Sequence, residues 1–152
     1  MLAVGTKMPG WVKEGFKEYE KRLPRDMPLE LVEIPLAARG KNANIPKAIE
    51  KESDAILACV HKQDYVIALE VKGRNWSTEG LAENMSQWQM NGQTVVLLVG
   101  GPDGLSDACR ARANQQWSLS ALTLPHPIVR VLLAEQIYRA WSVTQNHPYH
   151  RS

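Results

Sequence analysis

The stretch TVVLLV, residues 94–99, decides the fold, because after its opening threonine every position is apolar. A strand with one face in water alternates apolar and polar residues. An unbroken apolar run suits a central strand of a parallel sheet, covered by helices on both faces. It leads into GGPDGL, residues 100–105, and then to Ser106, a residue type that caps helices by accepting a hydrogen bond from their first turn.

The same alternation continues in both directions. Upstream, Ser77 opens a helix with Leu81, Met85 and Trp88 on one face, preceded by a strand at residues 65–71. Before that, Asn44 caps a helix that tolerates Pro46 in its first turn and carries the stripe Ile45, Ile49, Ile56 and Val60. Residues 35–44 read as a loop and residues 29–34 as a strand. Val12, Phe16, Tyr19 and Leu23 recur at helical spacing until Pro24, and residues 2–4 form a short first strand ending at Gly5. Downstream, residues 117–120 make a last short strand and 127–144 the final helix. Strands alternating with helices predict an α/β fold, a three-layer sandwich with a mostly parallel sheet. No internal repeat or low-complexity linker divides the 152 residues, so one domain over residues 1–152 is expected.

Composition narrows the function. A net charge of +2 excludes a polycation that binds nucleic acid by charge alone, so any RNA contact must come from local clusters of Lys and Arg. Cys59 and Cys109 stand apart without C-x-x-C spacing, which predicts buried free thiols in a reducing compartment. No leader is recognisable and no apolar run approaches the roughly 18 residues of a membrane span. A cytoplasmic protein without a membrane partner is expected. His126, His147 and His150 lack helical ligand spacing and neighbouring Cys or carboxylates, so no metal is expected.

Four features carry candidate chemistry. The glycines of GGPDG let a backbone approach a ligand closely at the end of a parallel sheet, or simply make a tight strand-to-helix turn. The pattern is neither G-x-G-x-x-G nor a Walker loop. LSALTLPHP, residues 119–127, is uncharged until its histidine and stiffened by two prolines. Such a ribbon can read an adenine-like ring through main-chain hydrogen bonds, or be a buried connection satisfied within the protein. Arg130 lies among Leu133, Ile137 and Trp141, opposite the polar stripe Glu135, Gln136, Arg139 and Ser142. A cation there needs either a bound anion or a structural partner. The tail NHPYHRS is aromatic and basic: Tyr149 can stack on a base, and His150 and Arg151 can meet phosphate or move a proton, unless the tail is a frayed end. The nearly apolar first half of the last helix suggests a subunit interface.

Together these stretches resemble the bacterial 23S ribosomal RNA (pseudouridine-N3) methyltransferases, the large-subunit methyltransferase H family of the SPOUT superfamily. The likeness runs through AVGTKMP (3–9), RGKNA (39–43), GGPDGL (100–105), WSLSALTLPHP (117–127) and YRAW with NHPYHR (138–151). The chain departs from it by having fewer residues before AVG, which shortens the first strand. The resemblance implies a C-terminal trefoil knot, against the general rule, and a homodimer with active sites between protomers. It implies S-adenosylmethionine against Leu69, Gly100 and the ribbon Leu119, Ser120, Ala121, Leu122, Thr123 and Leu124. For the catalytic step it leaves His126, Arg130, Tyr149 and His150 as candidates, with the tail reaching across the dimer. For 23S rRNA on the ribosome it points to Lys7, Arg39, Lys41 and Arg151, with Arg22 and Arg25 as weaker contacts. The alternative is a noncatalytic RNA-binding, ribosome-associated factor of the same fold.

Overall fold

The structure is a computed structural model that describes residues 1–151. In chain order its elements are β1 Leu2–Val4, α1 Gly10–Glu20, β2 Val32–Ile34, α2 Ile45–Ala58, β3 Tyr65–Asn75, α3 Thr78–Met90, β4 Val95–Val99, α4 Asp107–Arg112, β5 Gln115–Ser118 and α5 His126–Thr144. The strands form one parallel sheet in the order β2-β1-β4-β3-β5. The apolar strand at residues 94–99 thus takes the central place that its lack of alternation predicts.

Side chains of a strand leave alternately to either face, and here each set meets its own helix layer. Ala3, Ile67, Leu97 and Val99 join a core with Phe16, Leu81 and Leu133, from α1, α3 and α5. Val4, Val66, Ala68, Val96 and Leu98 join a second core with Ile56 and Cys109, from α2 and α4. The molecule is an α/β/α sandwich. Steps from β1 to β2 and from β3 to β4 move one way across the sheet with their helices on the first face. Steps from β2 to β3 and from β4 to β5 move the other way with helices on the second. Reversing both direction and face keeps the hand, so the four crossovers share one handedness, as parallel units require.

The helix starts follow their caps. The side chains of Asn44, Ser77 and Ser106 accept from the backbone N–H of Lys47, Gly80 and Cys109. The helix faces and strand ends differ more from expectation. In α2 the buried residues are Ala48, Glu52, Ser53 and Ile56, while Ile45 is exposed. Ile56 and Val60 of the expected stripe join the second core, and Glu52 is buried beside them because it serves a polar cluster described below. Strand β2 covers only part of residues 29–34, and β5 starts two residues before the expected 117–120. Its first two residues, Gln115 and Gln116, are polar, and their strand character comes from pairing with Ile67 and Ala68. Cys109 is buried as expected, but Cys59 is exposed, and both thiols are free. The three-residue β1 is paired on both sides, so its shortness leaves it intact.

Candidate active site

Helix α3 follows β3 on one face of the sheet and α4 follows β4 on the other, so their connections part at the carboxyl ends of these neighbouring strands. Parallel sheets bind ligands in such a crevice. A cleft of about 550 Å³ lies there, lined by β3, the β4 turn, Trp117, the ribbon and the start of α5. Ligand pockets run from roughly 300 to 1,000 Å³.

Each wall has a local cause. The first is the turn after β4. An added methyl at Gly100 would meet the Gly104 carbonyl carbon at 2.6 Å, so only glycine lets the turn close on itself. A bridge between Gly101 and Gly104 fastens it. The second wall comes from a break in register. Leu69 and Arg74 both lie opposite Trp117, so Glu70, Val71, Lys72 and Gly73 loop out of the ladder. The strand then recrosses β5 at Gly73, where a methyl would lie 2.7 Å from the Gln116 backbone. This second pairing carries β3 well past the expected end at Val71. The third wall is the ribbon. Ser118 Oγ donates to Ser120 O at 3.0 Å, and Leu122 N donates to Ser120 Oγ at 3.0 Å. Among the described residues, no loop backbone–backbone hydrogen bond uses Ser120, Ala121, Leu122, Thr123 or Leu124. Their remaining amides and carbonyls are therefore available to a ligand.

Of the expected cofactor residues, Leu69, Gly100, Leu119, Ser120, Leu122, Thr123 and Leu124 line the cleft, and Ala121 is an exposed residue of the same ribbon outside its lining. Glu70 and Asp103 also line it, and no Lys or Arg does. Both carboxylates were missed in the sequence, although Glu70 directly follows Leu69 and Asp103 lies within GGPDG. Glu70 receives Arg110 at 3.2 Å, and Asp103 receives Arg39 Nε at 2.7 Å.

The four catalytic candidates separate. His126 lines the cleft, and its Nδ1 is buried without a partner. Burial, and then the nearby Arg130 cation, lower its pKa below the ordinary 6.5. The ring is therefore neutral at physiological pH and able to accept a proton. Arg130 is 1% exposed and outside the cleft lining. It donates to Glu33 at 2.7 Å and to the carbonyls of Val4 and Gly5 at 3.1 and 2.7 Å. The cation on the apolar face thus has a structural partner, which ties α5 to the carboxyl end of β1.

Tyr149 and His150 lie elsewhere. The Tyr149 hydroxyl donates to Glu135 at 3.1 Å, and its ring stands edge-on to Tyr138 beneath the Arg139 guanidinium. Burial and the Glu135 charge push its pKa up to about 12, so the docked phenol keeps its proton. His150 bridges Arg139 at 3.2 Å and Glu79 at 3.0 Å. Neither residue lines the cleft of its own chain.

Lys7, Lys41 and Arg151 are exposed, as RNA contacts must be, and so are Arg22 and Arg25. Arg22 is drawn to Glu18 at 2.5 Å. Arg39, the remaining expected contact, is half-buried and donates to Glu52, Asp103 and the Ala37 carbonyl. Among the described residues no group of three or more His, Cys, Asp or Glu could hold a metal. No helix among them is long and apolar enough to cross a membrane.

Comparison with known proteins agrees with this architecture. The chain is 64% identical over 151 residues to "Ribosomal RNA large subunit methyltransferase H" of Hahella chejuensis (strain KCTC 2396), covering 99% of this chain and 97% of that protein. The protein of the same name from Marinomonas sp. (strain MWYL1) shows the same identity and coverage. A solved structure of "a probable methylase family protein from Haemophilus influenzae Rd KW20" shares the fold with a TM-score of 0.60 at 11% identity, covering 99% of this chain and 69% of that one. The family described as "Predicted SPOUT methyltransferase" matches residues 1–150. A parallel sandwich, a glycine-walled cleft at the carboxyl ends of β3 and β4, and a match along nearly its whole length place this chain in the SPOUT methyltransferase family.

Proposed function

We propose that the protein uses S-adenosylmethionine to methylate N3 of a pseudouridine in 23S rRNA, within the large subunit or the assembled ribosome, and that it acts as a homodimer. The observation that carries this reading is the charge of the cleft: two carboxylates, an uncharged peptide ribbon and no lining Lys or Arg. A lining without Lys or Arg offers no cation to the phosphates of a nucleotide, whereas a nucleoside bearing a sulfonium cation meets no like charge in it. The free amides and carbonyls of the ribbon suit the edge of an adenine ring, and Leu119, Leu122 and Val129 its faces.

When bound, the cofactor supplies a methyl group on an activated leaving group. The protein must then position the acceptor and remove a proton from N3. His126, neutral and in the cleft, is suited to take that proton. Arg130 holds the first turns of α5, and so His126, against the end of β1. Tyr149, His150 and Arg151 are supplied by the tail of the other protomer, which explains why they are absent from the cleft of their own. Lys7 and Lys41 meet the RNA backbone. The family's C-terminal knot and a cytoplasmic location belong to the same proposal.

Titration calorimetry with S-adenosylmethionine, followed by methyl transfer to isolated rRNA, large subunits and ribosomes with mapping of the product, tests the reading. Cofactor binding that is lost in Gly100→Arg, with one modified pseudouridine, is the expected result. Absence of binding heat makes the chain a noncatalytic RNA-binding factor instead.

A further inference from the structure

We propose that Arg39 is a positioning residue for the cofactor turn, acting through Asp103, and not a phosphate contact. The inference rests on the cofactor reading of the cleft above. Arg39 lies 64 residues from Asp103 in sequence, yet its Nε donates to the Asp103 carboxylate at 2.7 Å. Its other two nitrogens are held by Glu52, Nη1 at 2.5 Å and Nη2 at 3.0 Å, and Nη1 also donates to the Ala37 carbonyl at 2.8 Å. Glu52 is 3% exposed and receives the Ala37 amide as well, at 2.9 Å.

The order of immobilisation matters. An exposed salt bridge contributes little because two long side chains must be stilled to form it. Here the guanidinium is already fixed by a buried carboxylate on α2, so the bond to Asp103 costs little additional entropy. Asp103 sits in the turn between Gly101 and Gly104 and lines the cleft. The glycines that permit this turn also leave it without side chains to anchor it. Arg39 supplies that anchor from outside through the Asp103 carboxylate. The pair holds Arg39 charged, its pKa raised chiefly by Glu52 and further by Asp103. Lysine would have to replace with a single ammonium the separate nitrogens that Arg39 divides between the two carboxylates.

The test is a cycle of Arg39→Lys, Asp103→Asn and the double variant in the full chain, read by calorimetry with S-adenosylmethionine and by steady-state kinetics. Each single change should weaken cofactor binding about tenfold, the loss of one charge-assisted hydrogen bond. The double variant should be no weaker than either single one, since both break the same link. The cofactor KM should rise while kcat at saturation and the rRNA KM stay near wild type. Asp103→Asn also removes a carboxylate that lines the cleft, so the link is read from the non-additivity of the cycle, with Arg39→Gln replacing Arg39→Lys if that variant unfolds the chain. Unchanged cofactor affinity with a raised, salt-dependent rRNA KM overturns the proposal and makes Arg39 a phosphate contact. Additive losses overturn the route through Asp103. A wild-type chain that binds no cofactor removes the enzymatic reading itself, and the proposed role with it, whereas normal wild-type binding with unaffected variants removes only the role of Arg39.

Discussion

Gly100→Ala adds one methyl group where the turn after β4 closes on itself. That carbon would lie 2.6 Å from the Gly104 carbonyl carbon, 2.9 Å from the Leu105 nitrogen and 3.0 Å from the Gly104 Cα. Carbon atoms rest about 3.5–4.0 Å apart. All three neighbours are backbone atoms, so no side-chain rotation relieves the clash and the turn must retreat by about 1 Å. The retreat breaks the Gly104 N–H to Gly101 carbonyl bond, which is 3.1 Å long, and pulls on Leu105, a core residue only 5% exposed. Overpacking of this kind costs about 1–3 kcal/mol and the hydrogen bond about 1 kcal/mol more. Urea denaturation should show the midpoint falling by the equivalent of about 2–4 kcal/mol with an unchanged slope. Methyl transfer should fall on the order of a hundredfold, because a cleft wall displaced by about 1 Å misplaces the cofactor. Gly10→Ala, with no heavy atom within 4 Å of the new carbon, is the control and leaves turnover unchanged. If Gly100→Ala shows the wild-type midpoint and turnover, the turn is not closed on itself as described and its place in the site is refuted.

Three further predictions concern the neighbouring groups. Glu33→Gln leaves the buried Arg130 with only carbonyl partners. Because Glu33 is 31% exposed, the loss should be about 1–3 kcal/mol, below that of a fully buried pair; an unchanged urea midpoint contradicts the pairing. Neutral His126 should keep kcat/KM level as pH drops below the ordinary histidine value of 6.5, with decline only near its lowered folded pKa. Over the same window the unfolded chain binds the proton first, so stability present above pH 6.5 should be lost as pH falls toward that lowered value. An acid limb at or above the ordinary value, or full turnover in His126→Gln, rules His126 out as the base. Tyr149→Ala should abolish turnover and spare cofactor binding, and mixing it with a Gly100→Arg chain should restore turnover in hybrid dimers. Failure of the mixture to regain activity places the tail in its own protomer's cleft.

The local features of this chain were legible because each is a short-range property. The apolar run at residues 94–99 suited a strand covered on both faces, and β4 is that strand. Asn44, Ser77 and Ser106 cap the helices they precede, and Leu69, Gly100 and most of the ribbon do line one cleft. Periodicity failed where polar groups have distant partners. The α2 stripe found Ile56 and Val60, which join the second core, but placed Ile45 inward and missed Glu52, which is buried with Arg39 as its partner. The start of β5 was hidden because two glutamines become a strand only beside β3.

Side-chain pattern and capping chemistry, which act over a few residues, were enough to specify the α/β alternation, the central strand and the uncharged ribbon. Only the folded chain decided that Arg130 pairs with Glu33, 97 residues away, that Arg39 reaches Asp103 in the turn after β4, and that Gly73 brings β3 back over β5. Those outcomes depend on which strands become neighbours and in what register. The charge of a buried arginine says that a partner must exist, while the geometry of the whole sheet selects which carboxylate it is.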